Sequence, residues 1–132
     1  MKNKLVLSSR LDSLTIIYRW IEHLLINKVN EKELRNILLI TQEMVTNSIL
    51  HGNQSVIEKN VIVEVFIKQK NITVEIEDEG EGIKRLPSKE EAKELDYLTE
   101  NGRGLKLAVL MTKSIELHGN RIKLIFNRNN EG

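Results

Sequence analysis

The stretch Gln42-Glu43-Met44-Val45-Thr46-Asn47-Ser48-Ile49-Leu50-His51-Gly52 decides the reading of this chain. Glu43, Asn47 and His51 recur every four residues, which on a helix stacks them as one polar stripe. Ile40, Met44, Ile49 and Leu50 flank that stripe, so the helix is apolar nearly all round and reads as buried. Polar groups on a buried helix need partners. A second stretch, Asp78-Glu79-Gly80-Glu81-Gly82, sets a carboxylate at a strand end, followed by two glycines that let a ligand approach the backbone. The two stretches together point to a nucleotide pocket between a helix and a sheet.

Upstream, Leu14, Ile17, Ile21, Leu24 and Leu25 fall at helical spacing between Leu11 and about Asn27, with Asp12 or Ser13 placed to cap the start. Lys4 to Leu7 before them reads as a short strand. Asn30 with Glu33 three residues on makes a variant capping box for the second helix, whose apolar set is Leu34, Ile37, Leu38, Ile40, Met44, Val45 and Ile49. Gly52 and Asn53 stop it. Downstream the period changes to two. Val61, Val63, Val65 and Ile67 form one strand and Ile72, Val74 and Ile76 another, with Gln69-Lys70-Asn71 as the turn. Glu79 to Asn101 is a long polar stretch holding the only proline, Pro87, and a loop of that length in a compact domain is usually functional or disordered. Ser88 to Leu98 within it has helical character. Leu105 to Lys113 reads as a helix, and Ser114 to Leu117 and Arg121 to Asn127 as strands around His118-Gly119-Asn120. The order β-α-α-β-β-loop-α-β-β predicts an α+β two-layer sandwich, with helices on one face of a mixed, mostly antiparallel sheet.

Composition narrows the function. The chain has 132 residues, 20 basic and 19 acidic, for a net charge of +1. That size reads as one domain, residues 1–132. The charge balance gives no basic face for DNA or RNA. With no cysteine, disulfides, thiolate metal sites and thiol nucleophiles are excluded. No apolar run approaches the roughly 18 residues that span a bilayer, and the first residues are too polar for a signal peptide. A cytoplasmic protein with no membrane or nucleic-acid partner is expected.

By strand parity Asp78 points to the same buried side as Ile72, Val74 and Ile76. A carboxylate there needs a partner. One reading is the exocyclic amine of a base; another is an Asp at a turn accepting from its own following amides. Gly80 and Gly82 permit a sharp turn beneath a ring. Gly102 and Gly104 precede a helix whose free amides form an anion site. Arg103 between them either reaches a phosphate or is a solvated loop arginine. Glu43 and Asn47 offer oxygens suited to Mg²⁺ shared with phosphates, and a carboxylate beside the metal can take a proton from an attacking hydroxyl. His51 reads as a C-terminal charge or a hydrogen-bonded wall residue. No Walker lysine motif, Rossmann fingerprint or nucleophile elbow occurs.

With Glu43-x₃-Asn47-x₃-His51-Gly52, Asp78-x-Gly80-x-Gly82 and Gly102-x-Gly104-Leu105 in that order, the chain resembles the GHKL ATPase superfamily, which includes gyrase, Hsp90, histidine kinases and MutL. It looks most like the stand-alone anti-sigma-factor serine-protein kinases. The resemblance implies a Bergerat-type ATP-binding fold with about three helices on the sheet, and ATP and Mg²⁺ as cofactors. It implies that Asp78 holds the adenine amine, Asn47 ligates the metal and Glu43 is the general base. Gly80, Gly82, Gly102, Gly104 and Leu105 belong to the glycine boxes around base and phosphates, with His51 closing the helix box, and a lid covers about 83–101. The implied partners are an anti-anti-sigma (STAS) protein, a sigma factor and a second copy of the chain, with Leu5 to Leu7 and the first helix as candidate dimer contacts. Two further readings stand beside the kinase: an ATP-binding partner-switching module without phosphoryl transfer, and a structural interaction domain whose glycines are ordinary turns.

Overall fold

The computed structural model describes residues 2–94 and 103–129. Its elements are β1 (Lys2–Ser8), α1 (Ser13–Leu25), α2 (Glu31–Asn47), a π-helical turn (Ser48–Gly52), β2 (Asn60–Ile67), β3 (Asn71–Glu77), the short α3 (Lys89–Lys93), α4 (Arg103–Met111), β4 (Ser114–His118) and β5 (Arg121–Asn127). The strands form one sheet in the order β1-β2-β3-β5-β4. The pairings β1–β2, β2–β3, β3–β5 and β4–β5 are all antiparallel, so the mixed sheet expected from sequence is antiparallel throughout its described strands.

Register builds the core. Leu5, Val63, Ile76, Ile122 and Leu117 lie side by side across all five strands. Val65, Val74, Leu124 and Ile115 form the next row. Because side chains alternate between faces, these rows point to one side, where Ile17, Ile21 and Leu25 of α1 and Ile37, Ile40, Met44 and Val45 of α2 cover them. Ile17, Ile37, Ile40 and Val74 are all fully buried, and each such side chain contributes about 1.5–3 kcal/mol relative to exposure. The opposite face carries Glu64, Glu75, Glu77 and Arg121, joined in one ion-pair cluster.

The capping box is present. Asn30 Oδ1 accepts from Glu33 N at 2.8 Å, and Glu33 Oε1 accepts from Asn30 N at 2.9 Å. The expected cap of α1 is absent. Asp12 occupies the N-cap position without a side-chain cap bond and instead pairs with Arg10 at 3.4 Å, while Ser13 Oγ donates to Ser8 O at 3.1 Å. The α-helical hydrogen bonding of α2 stops at Asn47, and the chain continues to Gly52 as a π turn. Leu5 and Leu7 face the core, so of β1 only Val6 offers an exposed apolar side chain to a second copy. In the polar stretch, α3 covers Lys89–Lys93 of the expected 88–98 helix. Residues 95–98 of that helix and 95–101 of the expected lid lie outside the described residues.

Candidate functional site

A cavity of about 720 Å³ opens between the end of α2, the end of β3 and the start of α4. That volume is typical of small-molecule sites. Its lining includes Asn47, His51, Asp78, Gly80, Gly82 and Leu105, so three stretches distant in sequence meet at one space. Ile76 and Ile122 from the sheet and Met44 from α2 supply apolar wall, where a flat ring can be sandwiched.

The Asp78 end of the cavity is built by close backbone approach. Asp78 Oδ1 accepts from Gly80 N at 2.8 Å, which is the turn arrangement weighed from sequence. Its other oxygen, Oδ2, lies over Gly52, where an added Cβ would overlap it. The turn reading is therefore present, and the same residue lines the cavity. Gly80 sits equally close to the Gly52 carbonyl. Gly82 has φ +89°, and a Cβ there would strike the Gly119 carbonyl, so two separate constraints demand glycine.

The other end is formed by α2 and α4. The described part of α4 runs from Arg103, two residues before the sequence reading, so Gly104 lies within the helix rather than ahead of it. Gly104 is buried behind the cavity wall; a Cβ would lie 3.1 Å from Met44 Cε and 3.2 Å from both Asn47 Nδ2 and Glu43 Oε2. Close packing thus brings this turn of α4 beside Glu43 and Asn47. Leu105 in the same turn lines the cavity. Arg103 is not a free loop side chain: its Nη2 lies 3.6 Å from Glu43 Oε1, with both groups partly buried. Gly102 lies outside the described residues.

His51 is exposed on the π turn and lines the cavity mouth. A π turn is wider than an α turn, so His51 does not continue the Glu43–Asn47 stripe at strict four-residue spacing. Among the described residues no group of three or more His, Asp or Glu side chains is placed to hold a metal ion alone. Glu43 and Asn47 still suit Mg²⁺, which keeps several waters and takes one or two protein oxygens together with substrate phosphates.

Sequence reasoning missed one wall. The β4–β5 turn contributes Gly119 and Asn120, and Asn120 clamps Asp78 at both main-chain atoms: Asp78 N donates to Asn120 O at 3.2 Å, and Asn120 Nδ2 donates to Asp78 O at 2.6 Å. The segment was legible as a hairpin turn, but its contact depends on β5 pairing with β3, which no local pattern reveals. Ile76 was within reach, since it shares the parity of Asp78 two residues earlier.

The profile of the family described as Histidine kinase-like ATPase domain matches residues 7–126. The chain belongs to this family. Among characterised relatives it is 34% identical to an anti-sigma F factor of Clostridium perfringens over 97 residues, covering 70% of this chain and 67% of that protein. It is 33% identical to an anti-sigma F factor of Oceanobacillus iheyensis over 90 residues, covering 64% of this chain and 60% of that one. These similarities bear out the GHKL, anti-sigma-kinase-like resemblance drawn from the three boxes. The fold of this ATPase-family chain matches the RsbU and RsbW domains of Rv1364c from Mycobacterium tuberculosis, with TM-score 0.60 and 12% identity over 98% of this chain and 32% of that one. It also matches the histidine kinase domain of the blue-light activated histidine kinase EL346 of Erythrobacter litoralis, with TM-score 0.51 and 16% identity over 88% of this chain and 59% of that one. At those identities the likeness is one of fold. No described helix is long and apolar enough to cross a membrane.

Proposed function

We propose that this chain is a cytoplasmic anti-sigma regulatory factor that binds Mg·ATP in the cavity and phosphorylates a serine of an anti-anti-sigma STAS protein. The observation that carries the reading is the meeting of Asp78, Asn47 and the first turn of α4 at one space of nucleotide size. Similarity to anti-sigma F factors supports the choice of partner. Residues 1–132 act as one ATP-binding domain, with 83–101 as its lid.

Asp78 accepts from the exocyclic amine of adenine, with Ile76 and Ile122 beside the ring. Gly80 and Gly82 keep side chains out of the ring's path. Asn47 and Glu43 would supply protein oxygens to the metal, and Gly102, Gly104 and Leu105 would contribute to the phosphate site. Bound Mg²⁺ supplies charge neutralisation on the phosphates. Glu43 takes the proton of the partner's serine. Rate enhancement in such a site comes mainly from positioning and electrostatics. In this reading Arg103, which lies 3.6 Å from Glu43, exchanges that partner for a phosphate.

Mg·ATP at about 100 times its dissociation constant is expected to add roughly 2.7 kcal/mol of stability, read as a thermal shift. No shift would favour a purely structural module. Asp78→Asn removes a charged acceptor, and isothermal titration should show ATP affinity weakened by roughly ten- to a hundredfold. Glu43→Ala is expected to retain binding and to lose transfer of labelled phosphate to a STAS serine; full transfer by this variant would remove the base assignment. The second reading, an ATP-binding partner switch without transfer, draws on the Arg103–Glu43 contact, which engages the carboxylate a kinase needs free. It predicts binding without a labelled serine. For the proposed homodimer, Val6 of β1 and Ile16 of α1 are the exposed apolar candidates.

A further inference from the structure

Asn53 is a buried polar residue that the proposed chemistry leaves unused. It follows Gly52 at the end of the π turn and is completely buried. Every polar position of its carboxamide is engaged. Nδ2 donates to Ser9 Oγ at 2.9 Å and to Asn60 O at 3.0 Å, and Oδ1 accepts from Glu79 N at 2.7 Å. Ser9 Oγ in turn donates to Lys59 O at 2.6 Å. One side chain thus ties together the chain after β1, the end of α2, the start of β2 and the turn after β3.

The bond to Glu79 gives this hub a functional consequence. Glu79 follows Asp78, and the Glu79 side chain itself accepts from Asn60 N, so the turn is held twice on that side. Asn120 holds the main chain of Asp78 from the opposite side. Asp78 Oδ1 is in turn tied to Gly80 N, so the carboxylate's direction follows the main chain of residues 78–80. Each bond in this sequence is direct: Asn53 fixes Glu79, Glu79 fixes the 78–80 turn, and the turn fixes the carboxylate.

We infer that Asn53 is a positioning residue that sets the nucleobase preference of the site by fixing the Asp78 carboxylate. The inference rests on the reading that Asp78 meets the amine of a purine. A carboxylate is a pure acceptor, so it favours a 6-amino purine and opposes a 6-oxo purine. Sites that discriminate through a hydrogen bond depend on where the polar group is held. None of the bonds of Asn53 reaches α4, where the proposed phosphate contacts are made.

The test is equilibrium titration of Mg·ATP and Mg·GTP into the unmodified protein, Asn53→Ala and Ser9→Ala. The unmodified protein is expected to prefer ATP. Asn53→Ala should lose about tenfold in ATP affinity, the scale of one to two buried hydrogen bonds, while GTP affinity stays within about twofold, so the ATP:GTP ratio falls. Ser9→Ala removes one donor contact of Asn53 but leaves the Glu79 bond, and it should lower the same ratio by less, about two- to threefold. If Asn53→Ala does not fold, the ratio measured for Ser9→Ala decides. A merely structural role would lower both affinities together, and that result, or an unchanged ratio, overturns the inference while the nucleotide reading stands. Failure of the unmodified protein to bind either nucleotide overturns both.

Discussion

Gly52 shows how much a single missing methyl can decide. A Cβ at this position would overlap the Asp78 carboxylate, a side-chain group held by Gly80 N rather than main chain itself. Gly52→Ala should therefore displace the carboxylate more than the fold. The expected outcome is a small change in melting temperature together with at least a tenfold loss of ATP affinity, a scale set by one charge-assisted hydrogen bond. Gly82→Ala differs in kind, since it meets the Gly119 carbonyl and a φ of +89°, and so disturbs backbone. At this scale sequence reading named the glycines and Asp78 but missed Asn53 and Asn120. An asparagine after a helix looks like a stop signal, and two of the partners of Asn53, Ser9 and Glu79, lie far away in sequence, just past the ends of β1 and β3.

Elements carry their own local stability. Asn30→Ala removes half of the capping box of α2 and is expected to cost about 1 kcal/mol, read from chemical denaturation. The short α3 has the same device: Ser88 Oγ accepts from Glu91 N, and Glu91 Oε1 accepts from Ser88 N and from Arg85. The Ser88 amide first, and then Arg85, hold the Glu91 carboxyl below its ordinary value of 4.5. A folded-state value lowered in this way stabilises α3 above the ordinary value, and the contribution is lost as pH falls through the lowered one. Protection factors of residues 89–93, taken against the intrinsic exchange rate at each pH, should therefore fall on acidification below about 4.5, and Glu91→Gln should remove that pH dependence. The capping boxes and periodicities were legible because they depend on residues three or four apart. The π turn was not, because its i to i+5 bonding, as in Asn53 N to Ser48 O, leaves no such spacing in the sequence.

Across the whole molecule, the uncovered sheet face is organised by Arg121. Its guanidinium lies 3.0 Å from Glu77, 3.2 Å from Glu75 and 3.9 Å from Glu64. The hydrogen bond that Arg121 donates to Glu77, and then its bond to Glu75, raise the arginine's own pKa, so it stays charged at every accessible pH. Glu64 also pairs with Lys2 at 3.1 Å, which extends the network from β5 across the sheet to the edge strand β1. Arg121→Met leaves three carboxylates facing one another and is expected to destabilise the protein by about 1–2 kcal/mol, below the roughly 3–5 kcal/mol of a fully buried pair, because the cluster is partly solvated. Denaturation in low and high salt checks this, with the loss smaller in high salt, where repulsion among the carboxylates is screened.

By itself the sequence determined what is periodic or adjacent: the helices, the strands, the capping boxes, and the three boxes that identify the family. Side-chain spacing along one element is fixed by covalent geometry, so Glu43 with Asn47 and Ile76 with Asp78 could be read directly. Tertiary structure alone decided which of these faced each other. Inserting β5 between β3 and β4 brought Asn120 to Asp78, and packing α4 on α2 brought Arg103 to Glu43. Those contacts follow from how two hydrophobic layers close over one core, and no single segment contains that information.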